Sequence, residues 1–144
     1  RTERSLKKQD WTICLIKFSV VHKGVICIGS NYNRKENLLL ARRRLVDLFP
    51  TIRFTSEQET RPLFFRSPAL FSNQVAMFFS VNVLYGKELK AIEQSAGRRP
   101  EDKKEEKVSL DIDLLSYDDR ILRPEDLKRE YIVKGLEELK YNQI

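Results

Sequence analysis

The sequence predicts an α+β fold in which helices pack on an antiparallel sheet. Short apolar runs of strand length alternate with segments in which apolar residues recur at helical spacing, and Gly or Pro stands at several of the junctions. With 144 residues, 41% of them hydrophobic, the chain is long enough for one ordinary core. We therefore expect residues 24–144 to form a single domain, preceded by residues 1–23 as an N-terminal extension whose status the sequence leaves open.

The first part of this domain predicts a strand and a helix. Gly24–Ile28 is a short apolar run, and the residues from Gly29 to Asn31 predict the turn that closes it. Asn33 and Glu36 have the spacing of a helix N-cap and its reciprocal partner. The helix that follows ends at a Phe-Pro pair and has apolar residues at helical spacing, namely Leu38, Ala41, Leu45 and Leu48.

The remaining elements complete a known order. Residues 51–54 and 71–84 predict strands, and a second helix over 87–96 ends at Gly97, the residue type expected just past a helix C-terminus. The charged run 98–107 predicts a mobile, solvated loop, and an acidic strand follows it. Pro124 opens a last amphipathic helix, whose apolar side carries Leu127, Tyr131, Ile132, Leu136 and Leu139. The order β-α-β-β-α-β with a terminal helix matches the ferredoxin-like plan.

The acidic strand carries two carboxylates, Asp111 and Asp113, inside an apolar run. Alternate side chains of a strand share a face, so these carboxylates point the same way, roughly 6 to 7 Å apart, while Leu110, Ile112 and Leu114 point to the other side. Their mutual repulsion is about 2 to 3 kcal/mol at an effective dielectric near 20. Mg²⁺ suits one or two carboxylates completed by waters and phosphates. The residues alone fit a magnesium site or two Asp side chains on a solvated strand face.

Charge and composition narrow the classes of function. The formal charge is +6, but residues 1–23 hold six Lys and Arg against two Asp and Glu, so the other 121 residues carry only +2. A nearly balanced domain suits an anionic small molecule at least as well as a nucleic acid. His22 is the one histidine, which leaves little material for a zinc cluster or a His-based triad. Cys14 and Cys27 lie in apolar runs and predict reduced packing residues of a cytoplasmic protein.

The N-terminal extension combines basic residues with an apolar stretch over residues 11–21. Lys17 interrupts this stretch, and eleven residues are too few to span a bilayer. We therefore expect no membrane anchor here, and at most one extra strand.

Six short motifs occur in a recognisable order. They are the strand and turn 26–31, the loop 60–63, the segment 71–76, the pair 92–93 before Gly97-Arg98, the acidic strand 110–115 and the closing segment 129–133. In order and approximate spacing the chain resembles the 6-hydroxymethyl-7,8-dihydropterin pyrophosphokinase family of folate biosynthesis, over residues 24 to about 140. The resemblance implies a ferredoxin-like fold and transfer of pyrophosphate from MgATP, as co-substrate, to the pterin hydroxymethyl group, with release of AMP.

The resemblance implies a pterin pocket. Phe71 and Tyr131 stand where the family places two rings that sandwich the pterin, although its first ring is usually a Tyr. Asn73 offers an acceptor and donors to the amide-like edge of a pterin. The residues implied to bind the pterin are Thr60, Leu63, Phe71, Asn73 and Tyr131. Taken without the resemblance, the same residues indicate core aromatics and a polar residue at a strand edge.

The resemblance also implies a nucleotide side. Asp111 and Asp113 would act in catalysis by holding two magnesium ions, and Arg98 would meet phosphate. The residues implied to lie near the nucleotide are Glu93, Leu114 and Arg129. Taken alone, Glu93 and Arg98 indicate solvated charges. We expect pterin and ATP as the ligands of a monomer, with no membrane or nucleic-acid partner.

Two departures from the family affect the nucleotide side. The loop before the acidic strand normally supplies arginines and a Trp, whereas here it holds lysines together with Glu105 and Glu106, which would oppose phosphate. The Pro-His segment that contacts ATP in the family is missing, since Leu127 runs almost directly into Lys128-Arg129. Three outcomes stay open: an active short form, a weakened relative, and a pterin binder that has lost transfer.

Two other classes of protein compete with this interpretation. A ferredoxin-like sheet could stack RNA bases on aromatics, and Tyr32, Phe71 and Phe78 are available, although the sequence has no Arg-Gly-Phe type RNA-binding run. In a regulatory or structural module, Asp111 and Asp113 would be surface groups only.

Overall fold

The computed structural model describes residues 20–141, which form an α+β fold. One sheet contains the strands β1 (His22–Ser30), β2 (Arg53–Phe54), β3 (Gln58–Thr60), β4 (Phe71–Ser80), β5 (Asp111–Tyr117) and β6 (Arg120–Ile121). The helices are α1 (Arg34–Leu48), α2 (Lys87–Ser95) and α3 (Glu130–Tyr141), and short 3-10 turns span Pro100–Lys103 and Asp126–Lys128. The predicted α+β class is confirmed, with an antiparallel sheet and helices packed on it.

The sheet has the order β2-β4-β1-β5-β6, with β3 also paired to β4, and every pair is antiparallel. The strand β1 is central, because it pairs with β4 along its whole length and with β5 on its other side. The short β6 pairs only with Ser116 and Tyr117. Within the described residues, the outer edge of β5 is therefore open at its N-terminal end, which carries the two aspartates.

Both faces of the sheet are buried. The face under α1 and α2 holds the larger core, which includes Ile26, Ile28, Ala76, Phe78, Leu110 and Ile112. The face under α3 holds a smaller core, which includes Val25, Cys27, Val75, Met77, Leu115 and Ile132. A shift of register between Val25 and Ile26 places Leu115 in the smaller core, and Leu114 packs against the larger one. Strand alternation thus sends Leu110, Ile112 and Leu114 away from the two aspartates, as predicted.

The helix α3 lies close against the sheet because Gly135 has no side chain. A Cβ at Gly135 would lie 2.7 Å from Cγ2 of Val75 on β4, closer than real contacts allow. This close approach buries Ile132 and Leu139 and holds the start of α3, with Tyr131, at the sheet surface.

The start and end of α1 differ from the prediction. Asn33 is the N-cap, but its φ is 44° and its side chain makes no capping hydrogen bond, so the predicted reciprocal pair with Glu36 is wrong. The left-handed backbone at Asn33 differs from the extended conformation in which an N-cap side chain reaches the next amides. At the other end, Leu48 is 40% exposed, and Phe49 enters the core instead, with its ring stacked 3.9 Å from that of Phe78.

Other element boundaries also differ from the prediction. The strand β1 continues through Gly29 and Ser30 where a turn was predicted, because these residues pair with β4. The strand β4 ends at Ser80, β2 is shorter than predicted, and the strand β3 was not predicted. The helix α3 begins at Glu130 rather than Pro124, because the 3-10 turn precedes it. The second helix and its terminal Gly97, with φ of 82°, agree with the prediction to within one residue.

The charged run 98–107 is not a simple solvated loop. Asp102 is only 2% exposed, and its carboxylate accepts a hydrogen bond from the backbone N–H of Arg99 at 2.9 Å. This hydrogen bond is the main cause that lowers the pKa of Asp102 below its ordinary value. The backbone N–H of Lys107 donates to the Asp102 carbonyl at 2.8 Å, which closes the run on itself. Periodicity could not predict this, because the two bonds depend on the side chain and the backbone carbonyl of one buried residue, Asp102.

The sequence predictions for the extension fall mostly outside the described residues, which begin at position 20. Cys14 and the predicted extra strand are among the features that the structure does not describe, whereas Cys27 is buried with a free thiol. None of the helices in the described part of the chain, residues 20–141, combines the length and the apolar composition that a membrane span requires.

Candidate active site

Two concave regions lie on either side of the acidic strand. The first, which we call the aromatic cavity, has a volume of about 330 Å³ and lies beside α3. Its wall includes Gly29, Thr60, Leu63, Phe64, Phe65, Phe71, Asn73, Arg129 and Tyr131. The second, the edge cleft, has a volume of about 800 Å³ and follows the open edge of β5 to α2. Asp111, Asp113 and Arg123 line both, so the two regions meet at the acidic pair.

The acidic pair is partly buried and electrostatically strained. Burial is the main cause that raises the pKa of Asp113 from 3.8 to about 7, and the neighbouring Asp111 carboxylate raises it further. The pKa of Asp111 is also raised, again chiefly by burial. The positive group nearest to Asp113 is Arg123, whose Nη2 lies 3.2 Å from an Asp113 oxygen, while its Nη1 lies 3.7 Å from Asp126. A cation is therefore favoured beside this pair.

The donor set fits magnesium. Residues 20–141 contain no cluster of three or more His, Cys, Asp and Glu side chains arranged to hold a metal ion. A closed protein cage, as structural zinc requires, is therefore not formed by these residues. Two carboxylates at the junction of two open regions suit Mg²⁺, which completes its coordination with waters and substrate phosphates.

The raised pKa of Asp113 leads to a stability prediction. Between about pH 4 and 7 the native state keeps a proton that the unfolded chain has already released, so the free energy of unfolding falls as the pH rises. Asp113→Asn has no carboxyl group at this position to release a proton, so its free energy of unfolding does not fall for this reason. Without metal we expect Asp113→Asn to be more stable than wild type by on the order of 1 to 2 kcal/mol at pH 8, with a smaller difference at pH 5.

The measurement is thermal unfolding of both proteins in EDTA at the two pH values. A wild type that is more stable than Asp113→Asn at pH 8 without metal would contradict the predicted cost of a buried Asp113 charge beside Asp111.

Asn73 is the buried polar group of the aromatic cavity, at 6% exposed. Its Nδ2 donates to Thr60 Oγ1 at 2.6 Å, which fixes the orientation of the amide and leaves Oδ1 as an acceptor for a ligand. Gly29 lies opposite, and a Cβ there would be 3.1 Å from Oδ1. Pairing of β1 with β4 sets this arrangement, because Gly29 and Asn73 are register partners.

Aromatic rings surround that amide. Phe71 begins β4 and packs against Phe65, with ring centroids 5.7 Å apart. Tyr131, near the start of α3, carries the Arg129 guanidinium 4.7 Å over its ring, and burial raises its pKa. Phe64 extends from the loop and is 91% exposed. The cavity therefore offers flat apolar rings and one fixed amide, in addition to the charged groups at the acidic pair.

The edge cleft contains a different set of groups. Glu93 of α2 is buried, and its Oε2 accepts the backbone N–H of Ile112 at 2.8 Å, so it holds the acidic strand in place. Arg98 lies with its Nη1 3.3 Å from Glu93 and 3.8 Å from Asp111, half exposed to the cleft. Lys90 and Leu114 also line this region. The cleft is thus partly basic beside the acidic pair.

The structure brings the predicted residues together in two groups. Thr60, Leu63, Phe71, Asn73 and Tyr131 line the aromatic cavity, as do both aspartates. Glu93, Arg98 and Leu114 line the edge cleft. Arg129, which the resemblance associated with the nucleotide, lies in the aromatic cavity instead.

Sequence reasoning missed Arg123, Asp126, Phe64 and Phe65 as lining residues. The two Phe residues directly follow Leu63, so their position in the loop was an available signal. Arg123 had no such signal, because its contact with Asp113 depends on the path of the chain after β6.

The aromatics considered for RNA stacking do not form a platform. Phe78 is fully buried in the larger core, and Phe71 lies in the aromatic cavity. Tyr32 is 44% exposed but lies beyond the end of β1, and the ammonium of Lys107 is 3.7 Å from its ring centroid. Base stacking needs rings exposed on one sheet face, which these three do not provide.

Comparison with known families identifies the family of this chain. The model of the 7,8-dihydro-6-hydroxymethylpterin-pyrophosphokinase family matches residues 25–141, most of the chain. A comparison with curated proteins gave no match. The matched range includes the acidic pair and all the residues that line the aromatic cavity and the edge cleft. The chain therefore belongs to the 7,8-dihydro-6-hydroxymethylpterin-pyrophosphokinase family.

Proposed function

We propose that this protein transfers pyrophosphate from MgATP to 6-hydroxymethyl-7,8-dihydropterin and releases AMP. The observation that carries the proposal is that Asp111 and Asp113 line both the aromatic cavity and the edge cleft. A pterin in the first and a nucleotide in the second would meet at the same two carboxylates. Bringing two reactants together in this way is a main source of catalysis for a reaction that needs little covalent help.

The aromatic cavity suits the pterin. A flat heterocycle fits against the rings of Phe71 and Tyr131, and Asn73 Oδ1 can accept a hydrogen bond from the N–H groups of its edge. Thr60 fixes that amide, so an unsuitable ligand would leave a buried acceptor unpaired. These features support pterin recognition by shape and by one oriented polar contact.

The edge cleft suits the nucleotide. Arg98 and Lys90 offer positive charge to phosphate oxygens, and Leu89 and Leu114 offer apolar surface. Asp111 and Asp113 would hold Mg²⁺, with two ions expected from the family, and the metal would neutralise charge on the phosphates. Arg123 lies where the two regions meet, next to Asp113, and can supply charge that the altered loop 99–108 lacks.

In the proposed transfer one P–O bond forms and one P–O bond breaks. The pterin hydroxymethyl oxygen bonds to the β-phosphorus of ATP, and the bond from that phosphorus to the bridging α–β oxygen breaks. The electron pair of the broken bond leaves with AMP, and the hydroxyl proton is released. Because the residues of both regions come from one chain, we propose that a monomer suffices, acting in the cytoplasm where ATP is available and thiols such as Cys27 stay reduced.

The test is incubation of the protein with MgATP and 6-hydroxymethyl-7,8-dihydropterin, followed by chromatography for AMP and the pterin diphosphate. We expect both products, in equal amounts and dependent on magnesium. Binding of each substrate alone is measured in parallel. Pterin binding without product would indicate a relative that has lost transfer, a candidate favoured by the direct passage from the 3-10 turn Asp126–Lys128 into α3. Absence of pterin binding would contradict the proposed function.

A further inference from the structure

The loop over residues 61–70 forms one wall of the aromatic cavity. It joins β3 to β4 and contributes Leu63, Phe64 and Phe65 to the lining. Within residues 20–141, every hydrogen bond between this loop and the rest of the chain is accepted by one side chain, that of Glu106. The position of the cavity wall therefore depends on a residue from another loop.

The contact is a carboxylate held by two consecutive backbone amides. The N–H of Arg66 donates to Oε1 and Oε2 of Glu106 at 3.0 and 2.9 Å, and the N–H of Ser67 donates to Oε1 at 2.8 Å. Hydrogen bonds to an ionised acceptor are stronger than neutral ones. We call this contact the Glu106 latch. It also means that this carboxylate, expected from the sequence to oppose phosphate, is used elsewhere.

Glu106 is itself tied to the central strand. Asn31, which directly follows β1, donates from Nδ2 to the Glu106 carbonyl at 2.7 Å. Its Oδ1 accepts the N–H of Val108 at 2.7 Å, and its own N–H donates to the Val108 carbonyl at 2.9 Å. Because β1 pairs with both β4 and β5, the latch connects loop 61–70 of the cavity wall to the strands that carry Asn73 and the acidic pair.

The backbone of Glu106 is unusual. Its φ is 54°, in the left-handed region that residues with a Cβ rarely adopt. Such a conformation persists where surrounding contacts determine it, and it is often found at functional sites. Here it aims the carboxylate at the loop while the carbonyl faces Asn31. The left-handed backbone at Glu106 therefore costs conformational energy, which the surrounding contacts offset.

We propose that Glu106 is a positioning residue that sets the affinity for the pterin by fixing loop 61–70 against the sheet. This inference rests on the proposed function, since it assigns the aromatic cavity to the pterin. The latch does not contact the edge cleft, whose lining does not include Glu106, so the affinity for MgATP is independent of it. A preformed wall lowers the ordering cost of binding, and its loss weakens one substrate only.

The test compares Glu106→Gly with Glu105→Gly. Glycine at 106 keeps the left-handed backbone without strain and removes the carboxylate, whereas the same change at the exposed neighbour Glu105 controls for added chain freedom. Dissociation constants for the pterin and for MgATP are measured separately, together with amide hydrogen exchange at Arg66 and Ser67. Glu106→Gln, which keeps one acceptor oxygen without the charge, provides a graded variant.

In Glu106→Gly we expect the pterin dissociation constant to rise about tenfold and the MgATP constant to change less than about twofold. Exchange at Arg66 and Ser67 should become faster in the same variant. Glu105→Gly should leave both dissociation constants and the exchange rates unchanged. The values for Glu106→Gln should lie between those of wild type and Glu106→Gly. An equal rise of both dissociation constants would show that Glu106 has a merely structural role. An unchanged pterin dissociation constant despite faster exchange would refute the proposal.

Wild-type binding separates this inference from the proposed function. If wild type binds the pterin but forms no product, the proposed pyrophosphate transfer is rejected. The role of Glu106 is then still tested by the pterin dissociation constants of the variants. If wild type does not bind the pterin, the proposed function fails and the inference falls with it.

Discussion

Replacing either aspartate of the acidic pair by asparagine is expected to abolish turnover while the fold survives. Asn has nearly the same shape as Asp but no charge, so the side chain still fits at the junction of the two regions and loses its attraction for Mg²⁺. Because the metal would neutralise the phosphates, we expect kcat to fall by about 10³-fold or more in Asp111→Asn and Asp113→Asn.

The measurement is product formation at saturating substrates, with circular dichroism to confirm folding. Asp119→Asn is the matched control, since Asp119 is exposed in the turn after β5 and lines neither region. Pterin affinity should change little in all three variants, because the metal is assigned to the phosphates. Turnover retained in both acidic-pair variants would rule out the metal assignment and favour a surface role for the two carboxylates.

Replacing Arg123 by leucine is expected to lower kcat/KM for MgATP by about 100-fold. Its guanidinium lies 3.2 Å from Asp113, lines both regions and is half exposed, so it can meet an anionic group of the substrate. The loop 99–108 offers lysines and no cluster of arginines, which makes the charge at Arg123 more important. Arg123→Lys should recover part of the loss, since it keeps the charge without the planar fork.

Steady-state kinetics with each substrate varied in turn measure this effect. Arg120→Leu is the matched control, because Arg120 is exposed on β6 and lines neither region. We expect the KM for the pterin to change less than that for MgATP. Equal losses in Arg120→Leu and Arg123→Leu would mean that only the overall charge of this edge matters.

The acidic strand shows what local pattern predicts well. Alternation of side chains along a strand is a short-range rule, so the common face of Asp111 and Asp113 and the opposite face of Leu110 and Ile112 follow from sequence spacing alone. Both pairs lie as predicted. The pattern did not predict the depth of the site, because burial depends on how α3 and the loop 61–70 cover that face.

Element boundaries show where local pattern fails. Gly29 looks like a turn residue, yet it continues β1 because pairing with β4 and β5 on both sides holds it extended. Pro124 looks like a helix start, yet α3 begins at Glu130. At Gly29, pairing with distant strands outweighs the preference of a single residue, whereas after Pro124 the 3-10 turn Asp126–Lys128 delays the start of the helix.

The sequence by itself determined the α+β class, which follows from periodicity among neighbouring residues, and indicated the family, which follows from the order of short motifs along the chain. The residues assigned to a pterin and MgATP are those that the resemblance implies. Only the tertiary structure decided that Arg123 faces Asp113, that the two regions share the acidic pair, and that Glu106 holds the loop 61–70. Each of these depends on the meeting of segments distant in the chain, which the folding of the whole sheet sets and no local pattern encodes.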